Sequence, residues 1–241
     1  MSRRITSYGA SVQGVAHSLR GVPNQDAWLR AGNTSGSLIV VCDGMGSKPH
    51  ARRGAQEACL AVREAAFRWT RTMNAPVSCL IELIETLWRL RIHPYEPVEA
   101  ATTCLFAFAG ENGEWTVGGI GDGLVAVRTE GEALQCVIGE VRNGFCNETD
   151  ALGGTYAGQT AWKVRRFPST SRERYAVLST DGLSDDLQPL KRDAFCDWFV
   201  NEFSDLGANL RRRRLAGMLK AWPTAGHSDD KTIAVLRVAA E

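Results

Sequence analysis

A chain of 241 residues with 44% hydrophobic and 23% charged content has room for one large domain with a sizeable core. Its net charge of +1 gives no general reason to expect a nucleic-acid or membrane-surface partner. Seven cysteines, an odd number with no C-x-x-C pair, argue against a disulfide framework or a zinc ribbon and for reduced, mostly buried thiols. No Pro-, Ser- or Gly-rich linker and no internal repeat interrupts the pattern, so a single domain over 1–241 is expected. The N-terminus, Met1-Ser2-Arg3-Arg4-Ile5-Thr6, lacks the apolar run of a signal peptide. No stretch approaches the ~20 apolar residues of a membrane span. A cytoplasmic protein is the expectation.

Ser37–Cys42 (SLIVVC) is a short apolar, β-branched run stopped by Asp43-Gly44, which predicts a buried strand ending in a turn. From Ala51 to Met73 the apolar residues Ala55, Cys59, Val62, Ala66 and Trp69 recur at three- and four-residue steps, the mark of an amphipathic helix. Val77–Ile92 repeats the pattern, opened by Pro76 and closed by Pro94. Thr102–Ala109, Glu114–Ile120, Leu124–Thr129 and Ala133–Ile138 follow at short spacing and resemble an antiparallel meander. Cys146–Phe167 is weakly periodic and rich in Gly, Thr and Ala, a candidate mobile loop beside the active site. Tyr175–Thr180 predicts another buried strand. Pro189–Phe203 and Leu206–Trp222 predict two further helices, and Thr232–Val238 a last strand. Helices paired between runs of strands indicate an α+β fold, with an antiparallel double sheet covered by helices. Trp69, Trp88, Trp198 and Trp222 are expected to pack at helix cores or ends. The Arg211–Arg214 run predicts a solvated face, and His93 and His227 read as turn residues.

Four acidic motifs punctuate these elements: Asp43-Gly44-Met45-Gly46, Gly121-Asp122-Gly123, Asp181-Gly182 and Asp229-Asp230, with Pro23-Asn24-Gln25-Asp26 ahead of them. Any one Asp-Gly after a strand is commonly just a turn. Four strand-end aspartates together are harder to explain as independent turns. Carboxylates so placed can converge on hard divalent cations such as Mg²⁺ or Mn²⁺, which favour oxygen ligands. A metal centre, binuclear and hydrolytic, is the expectation.

The ordered set resembles the type 2C metal-dependent Ser/Thr protein phosphatases, the PPM family. It runs G-V-P-N-Q-D-A (Gly21–Ala27), V-V-C-D-G-M-G-S (Val40–Ser47), T-T-C (Thr102–Cys104), G-I-G-D-G (Gly119–Gly123), L-S-T-D-G-L-S-D (Leu178–Asp185) and S-D-D-K-T (Ser228–Thr232). The resemblance spans Gly9 to Val238, and Met45 after Asp-Gly is similar to the bacterial branch. It implies two antiparallel sheets sandwiched between helix pairs, a four-layer arrangement. It also implies that Asp43 bridges two Mn²⁺ or Mg²⁺ ions, that the Gly44 carbonyl ligates one, and that Asp181 and Asp229 complete the shell of the second. Asp26 would hold metal-bound waters, and Asp122 with Asp181 would form a third, weaker position. Asp229 rather than Asp230 is placed as the ligand, because Thr232 fixes the register of the family's Asp-x-x-Thr pattern. The implied reaction is hydrolysis of phosphoserine or phosphothreonine by a water between the two ions.

Departures from the family pattern fall around the substrate phosphate. Gly21 stands where many members carry a phosphate-gripping Arg, while Arg20 lies one residue further from Asp26. Arg20, His17 and Lys48 are therefore the candidates for that task. The expected partner is a phosphoprotein substrate opposed by a cognate Ser/Thr kinase, with no nucleic acid and no membrane, and the expected state is a monomer. The competing reading is a non-catalytic signalling module that keeps the fold to bind a kinase or phosphoprotein; retention of all the acidic motifs weighs against it. An aspartyl nucleophile at Asp43, as in haloacid-dehalogenase-like phosphatases, would need a second acid at position 45, which is Met.

Overall fold

A computed structural model describes residues 4–70, 75–139, 150–154, 161–222 and 229–240. Its strands are β1 (Ile5–Val12), β2 (Asp26–Asn33), β3 (Gly36–Asp43), β4 (Cys104–Gly110), β5 (Trp115–Ile120), β6 (Leu124–Thr129), β7 (Gln135–Ile138), β8 (Lys163–Phe167), β9 (Arg174–Ser179) and β10 (Lys231–Val238). The helices are α1 (Val15–Arg20), α2 (Ala51–Trp69), α3 (Val77–Ile92), α4 (Asp181–Ser184), α5 (Arg192–Ser204) and α6 (Ala208–Lys220). The strands form two five-stranded sheets, in the orders β1-β10-β9-β6-β7 and β2-β3-β4-β5-β8. Every ladder between them is antiparallel.

Side-chain alternation explains why the strands read as unbroken apolar runs. Leu38, Val40 and Cys42 of β3 point to the helix pair α2–α3 and pack with Ala58, Val62, Leu80, Ile84 and Trp88. Ile39 and Val41, on the other face, join Leu105, Val125, Leu178, Ala234 and Leu236 between the sheets. Tyr175 and Val177 of β9 meet Phe199, Val200 and Leu215 of α5 and α6. Both faces of each sheet are thus covered, and the layers run helix, sheet, sheet, helix. The expected α+β fold of two antiparallel sheets between helix pairs is the observed one.

The chain path differs from the predicted meander. β4 and β5 pair in one sheet, but the chain then crosses at Gly121-Asp122-Gly123 so that β6 and β7 pair in the other. Close strand spacing does not specify which sheet receives the next strand; the two glycines, with φ of 116° and 94°, adopt backbone that permits the crossing. The predicted loop over Cys146–Phe167 is also corrected in part. Lys163–Phe167 is the edge strand β8, and Leu152 exchanges backbone hydrogen bonds with Thr102 at 2.9 and 3.1 Å. The remainder of that stretch, 146–149 and 155–160, lies outside the described residues, as does His227.

Smaller differences have local causes. The helix predicted from Pro189 begins as a 3₁₀ turn, Pro189–Lys191, before α5. Trp69 and Trp88 are buried, but Trp198 is 48% exposed on the outer face of α5. Arg211 is not simply solvated: its guanidinium sits 4.7 Å from the Tyr8 ring centroid and donates to the Ser204 carbonyl at 2.9 Å. Among the described residues no helix is long and apolar enough to cross a membrane.

Gly54 marks the tightest helix contact. A Cβ there would lie 1.8 Å from the Ala100 carbonyl oxygen, while the Gly54 carbonyl accepts the Trp88 indole N–H at 3.1 Å. Gly54→Ala is expected to cost about 2 kcal/mol by overpacking. The denaturant midpoint checks it; an unchanged midpoint would mean that the Pro97–Ala100 turn yields freely.

Candidate active site

The acidic motifs meet at one end of the paired sheets, contributed by both. Asp26 opens β2 and Asp43 closes β3, and the two are directly opposite in register. The Asp43 backbone is fixed on both sides: its N–H donates to Thr103 Oγ1 at 2.9 Å, and its carbonyl accepts the Thr103 N–H and the Thr102 hydroxyl, each at 2.8 Å. Gly44 follows, where a Cβ would lie 2.4 Å from the Ala51 carbonyl oxygen, so only glycine lets α2 begin this close. From the other sheet come Asp181, whose Oδ1 accepts the Gly182 N–H at 2.7 Å, and Asp229, whose Oδ1 accepts the Asp230 N–H at 2.8 Å. Asp122 sits on the crossing between the sheets. Asp43, Gly44, Asp122, Asp181 and Asp229 line one cleft of about 190 Å³.

Asp26 stands behind this wall. Its Oδ2 accepts the hydroxyls of Thr180 at 2.9 Å and Thr232 at 2.7 Å, which ties the start of β2 to β10 and to the end of β9 in the opposite sheet. Its Oδ1 is buried without a protein partner, as is Gln25 Oε1 at the cleft. Burial, followed by the charge of Asp230, pushes the Asp26 carboxyl up to about 7 against the pull of the Thr232 hydroxyl. Asp43 is driven well above the usual carboxylate range by burial and then by the charges of Asp26 and Asp181. Asp181 is raised by burial, with Asp122 and Asp229 adding repulsion. Clustered carboxylates held in mutual repulsion, with two buried oxygens left unpartnered, suit a hard divalent cation. Mn²⁺ or Mg²⁺ fits the donor set, which is oxygen throughout.

Adjacent Asp229 and Asp230 part company. Asp230 turns inward and is 2% exposed; its Oδ1 accepts the Gly14 N–H at 2.7 Å, and its Oδ2 accepts the Gln25 N–H at 2.7 Å and lies 2.8 Å from His17 Nδ1. His17, Asp229 and Asp230 come close enough to suggest a further cation site. The Asp230 oxygens are already engaged by these donors, so the group reads as an anchor for the 14–25 loop.

Of the three phosphate-gripping candidates, His17 lines the cleft. Arg20 and Lys48 do not: Arg20 is exposed at the last turn of α1, and Lys48 sits in the turn closed by its own N–H on the Met45 carbonyl at 2.8 Å. The third residue of α1, His17, faces the site, while Arg20 ends the helix away from it. Sequence reasoning missed Gln25, Ser47 and Thr103 on the cleft wall, and the Thr180 and Thr232 hydroxyls that hold Asp26. Thr180 beside Asp181, and Thr232 two residues after Asp230, were the available signal for the hydroxyls.

A four-layer sandwich with aspartates from both sheets converging at one end presents an all-oxygen cluster suited to divalent cations. The family profile described as protein phosphatase 2C matches residues 13–220, and the chain belongs to that family. Among solved structures, a bacterial serine phosphatase is 15% identical, with 99% of each chain covered and a TM-score of 0.68. The catalytic domain of the serine threonine protein phosphatase PstP, in complex with two manganese ions, is 17% identical over 99% of this chain and 100% of that one, with a TM-score of 0.64. The PPM Ser-Thr phosphatase MsPP from Mycobacterium smegmatis, in complex with cacodylate, is 20% identical over 98% of each chain, with a TM-score of 0.61. At these identities the likeness is one of fold. No curated protein sequence matches the chain.

Proposed function

We propose that the chain is a single catalytic domain over 1–241 that hydrolyses phosphoserine or phosphothreonine in proteins, by direct attack of water and with Mn²⁺ or Mg²⁺ as cofactor. The observation that carries this is the convergence of Asp43, Asp122, Asp181 and Asp229 on one cleft. Asp43 and the Gly44 carbonyl would hold two ions between them, with Asp181 and Asp229 on the second and Asp122 with Asp181 at a third position. Bound there, the cations lower the pKa of water and neutralise the phosphoryl oxygens.

The remaining work falls to the chain itself. Thr102 and Thr103 clamp the Asp43 backbone, so its carboxylate is positioned before any ligand arrives. Asp26, gripped by two hydroxyls through Oδ2, offers Oδ1 to accept a hydrogen bond from water at the back of the site. His17, braced by Asp230, forms the wall that a phosphoryl group would meet on entering. Met45 occupies the position that an aspartyl-nucleophile mechanism would fill with a second acid, which favours water as the nucleophile. The enzyme would act on its substrate as a cytoplasmic monomer opposing a Ser/Thr kinase.

Initial rates with p-nitrophenyl phosphate and a phosphothreonine peptide, in Mn²⁺, in Mg²⁺ and in excess chelator, test this. Turnover that requires the metal is expected. A folded, metal-loaded protein that binds the phosphopeptide without turning it over would overturn the enzyme reading in favour of a binding module.

A further inference from the structure

β1 brings to the back of the site a side chain that no acidic motif contains. Ser11 is directly opposite Thr232 in the β1–β10 ladder, so the two hydroxyls share one face of the sheet. Thr232 Oγ1 lies 2.7 Å from Ser11 Oγ and 2.7 Å from Asp26 Oδ2, but a hydroxyl has a single hydrogen to give. A carboxylate can only accept, so that hydrogen goes to Asp26, and the Ser11 hydroxyl donates to Thr232. Ser11 Oγ in turn accepts a hydrogen bond from Asn24 Nδ2 at 2.8 Å. The orientation of the Asn24 amide is fixed independently, because its Oδ1 accepts the Asp26 backbone N–H at 2.9 Å. The Thr180 hydroxyl resolves the same way. It accepts the Thr232 N–H at 3.1 Å and gives its own hydrogen to Asp26 Oδ2 at 2.9 Å. Donors therefore run in one direction, from Asn24 to Ser11 to Thr232, and the ring they form begins and ends on Asp26.

Resting on the phosphatase reading above, we propose that Ser11 and Asn24 are positioning residues for the reaction, acting through Asp26 to hold its Oδ1 in one place for water. A carboxylate that served only the fold would have both oxygens partnered. Asp26 Oδ2 takes two hydroxyls, while Oδ1 is buried with no protein partner. The ring grips Asp26 at two points, the backbone N–H and Oδ2, and so resists both rotation of the carboxylate and displacement of the start of β2. Each donor in the chain polarises the next and strengthens the last bond, the one to Oδ2. Ser11 is the link on which this depends. Without its hydroxyl, Thr232 loses a donor and Asn24 Nδ2 loses its acceptor together. Neither Ser11 nor Asn24 lines the cleft, so any effect they have on the reaction passes through Asp26.

Ser11→Ala and Ser11→Thr, each alone and combined with Asp26→Asn, test this by two readouts: Mn²⁺ affinity by titration calorimetry, and the kinetics of p-nitrophenyl phosphate hydrolysis. Ser11→Ala is expected to weaken Mn²⁺ binding roughly tenfold and to lower kcat by a similar factor, the scale on which outer supports of a metal centre act. KM should hold, because Ser11 does not meet the substrate. Ser11→Thr keeps the hydroxyl and should restore both values. In the Asp26→Asn background, Ser11→Ala should cost less than about twofold more, because the residue through which it acts is already gone. A lower melting temperature with Mn²⁺ affinity and kcat unchanged would make Ser11 a fold residue only and overturn the proposal. So would a folded Ser11→Thr that restores nothing, or a full further loss in the Asp26→Asn background. If Ser11→Ala does not fold, Asn24→Ala, at the outer end of the chain, should show the same paired loss, and its absence sinks the idea. If the wild type hydrolyses no substrate, the phosphatase reading has failed and the Mn²⁺ titrations alone decide. Affinity unmoved by Ser11→Ala, or no Mn²⁺ binding by the wild type, then overturns the positioning role.

Discussion

Asp43→Asn should lower kcat by ~10³-fold or more, the loss expected when several kcal/mol of charge stabilisation at the reacting phosphoryl group is withdrawn. The same substitution should make the chelated protein more stable. Asp43 is buried and pressed by the charges of Asp26 and Asp181, so a neutral amide at that position relieves repulsion and can donate to either neighbour. A gain of about 1 kcal/mol would raise the melting temperature by roughly 2–4 °C in a domain of this size. Wild type in chelator should also show a pH signature. Burial raises Asp26 to about 7, above its value in an unfolded chain, so the folded form holds its proton more tightly. That contribution is fully present in acid and is lost as pH rises toward 7, so the chelated fold should weaken over that range. Mn²⁺ should reverse the trend by binding the folded state. Calorimetry of the two proteins with and without Mn²⁺ checks all of this. Retained turnover in Asp43→Asn would remove Asp43 from the mechanism, and an unaltered melting temperature in chelator would show that the carboxylates do not repel as described.

Gly182→Ala should reduce turnover by ~10²-fold without touching a carboxylate, the scale of loss that follows a displacement of about 1 Å at a reacting centre. A Cβ at Gly182 would lie 2.0 Å from the Asp230 carbonyl oxygen and 3.5 Å from Asp229 Cβ. The obstacle is backbone and cannot rotate away. Relief requires α4 to move off the 229–230 segment, which parts Asp181 from Asp229, two residues proposed to share one ion. The defect should therefore appear first as a weakened apparent affinity for Mn²⁺, partly recovered at high concentration. In Asp43→Asn added metal should recover nothing. Metal titrations of initial rate distinguish the two; a wild-type Mn²⁺ dependence in Gly182→Ala would mean that the segment adjusts without separating the aspartates.

Much of this arrangement is legible in the chain because the motifs carry position as well as chemistry. The run SLIVVC followed by Asp-Gly identifies a strand buried on both faces with a carboxylate at its end, and the structure places Asp43 there. The periodicity of Val77–Ile92 gives the bounds of α3 directly. β1 and β2 went unread, since their small and half-buried residues give no clear alternation. Sheet membership was also hidden, because β5 and β6 are separated by three residues that read as a hairpin turn yet carry the chain from one sheet to the other. At the site, the aspartates announced themselves and their supports did not. Thr180, Thr232 and Asp230 act only through partners far away in sequence: Thr180 and Thr232 through Asp26, and Asp230 through Gly14 and His17. Which of the candidates Arg20, His17 and Lys48 lines the cleft depended on α1, whose apolar residues face outward and give no burial pattern.

Because Asp26 and Asp43 end strands of one sheet while Asp181 and Asp229 flank strands of the other, the repulsion between the two pairs does not exist until the sheets meet. Each sheet also joins strands distant in sequence, β1 with β10 for example, so that meeting comes late on a slow route. The electrostatic strain of the site is therefore felt by the finished structure far more than by the barrier that precedes it. Relieving it should lengthen the lifetime of the folded state and leave the rate of its formation almost untouched. The acidic end of the sandwich thus sets how long the protein stays folded, not how quickly it gets there.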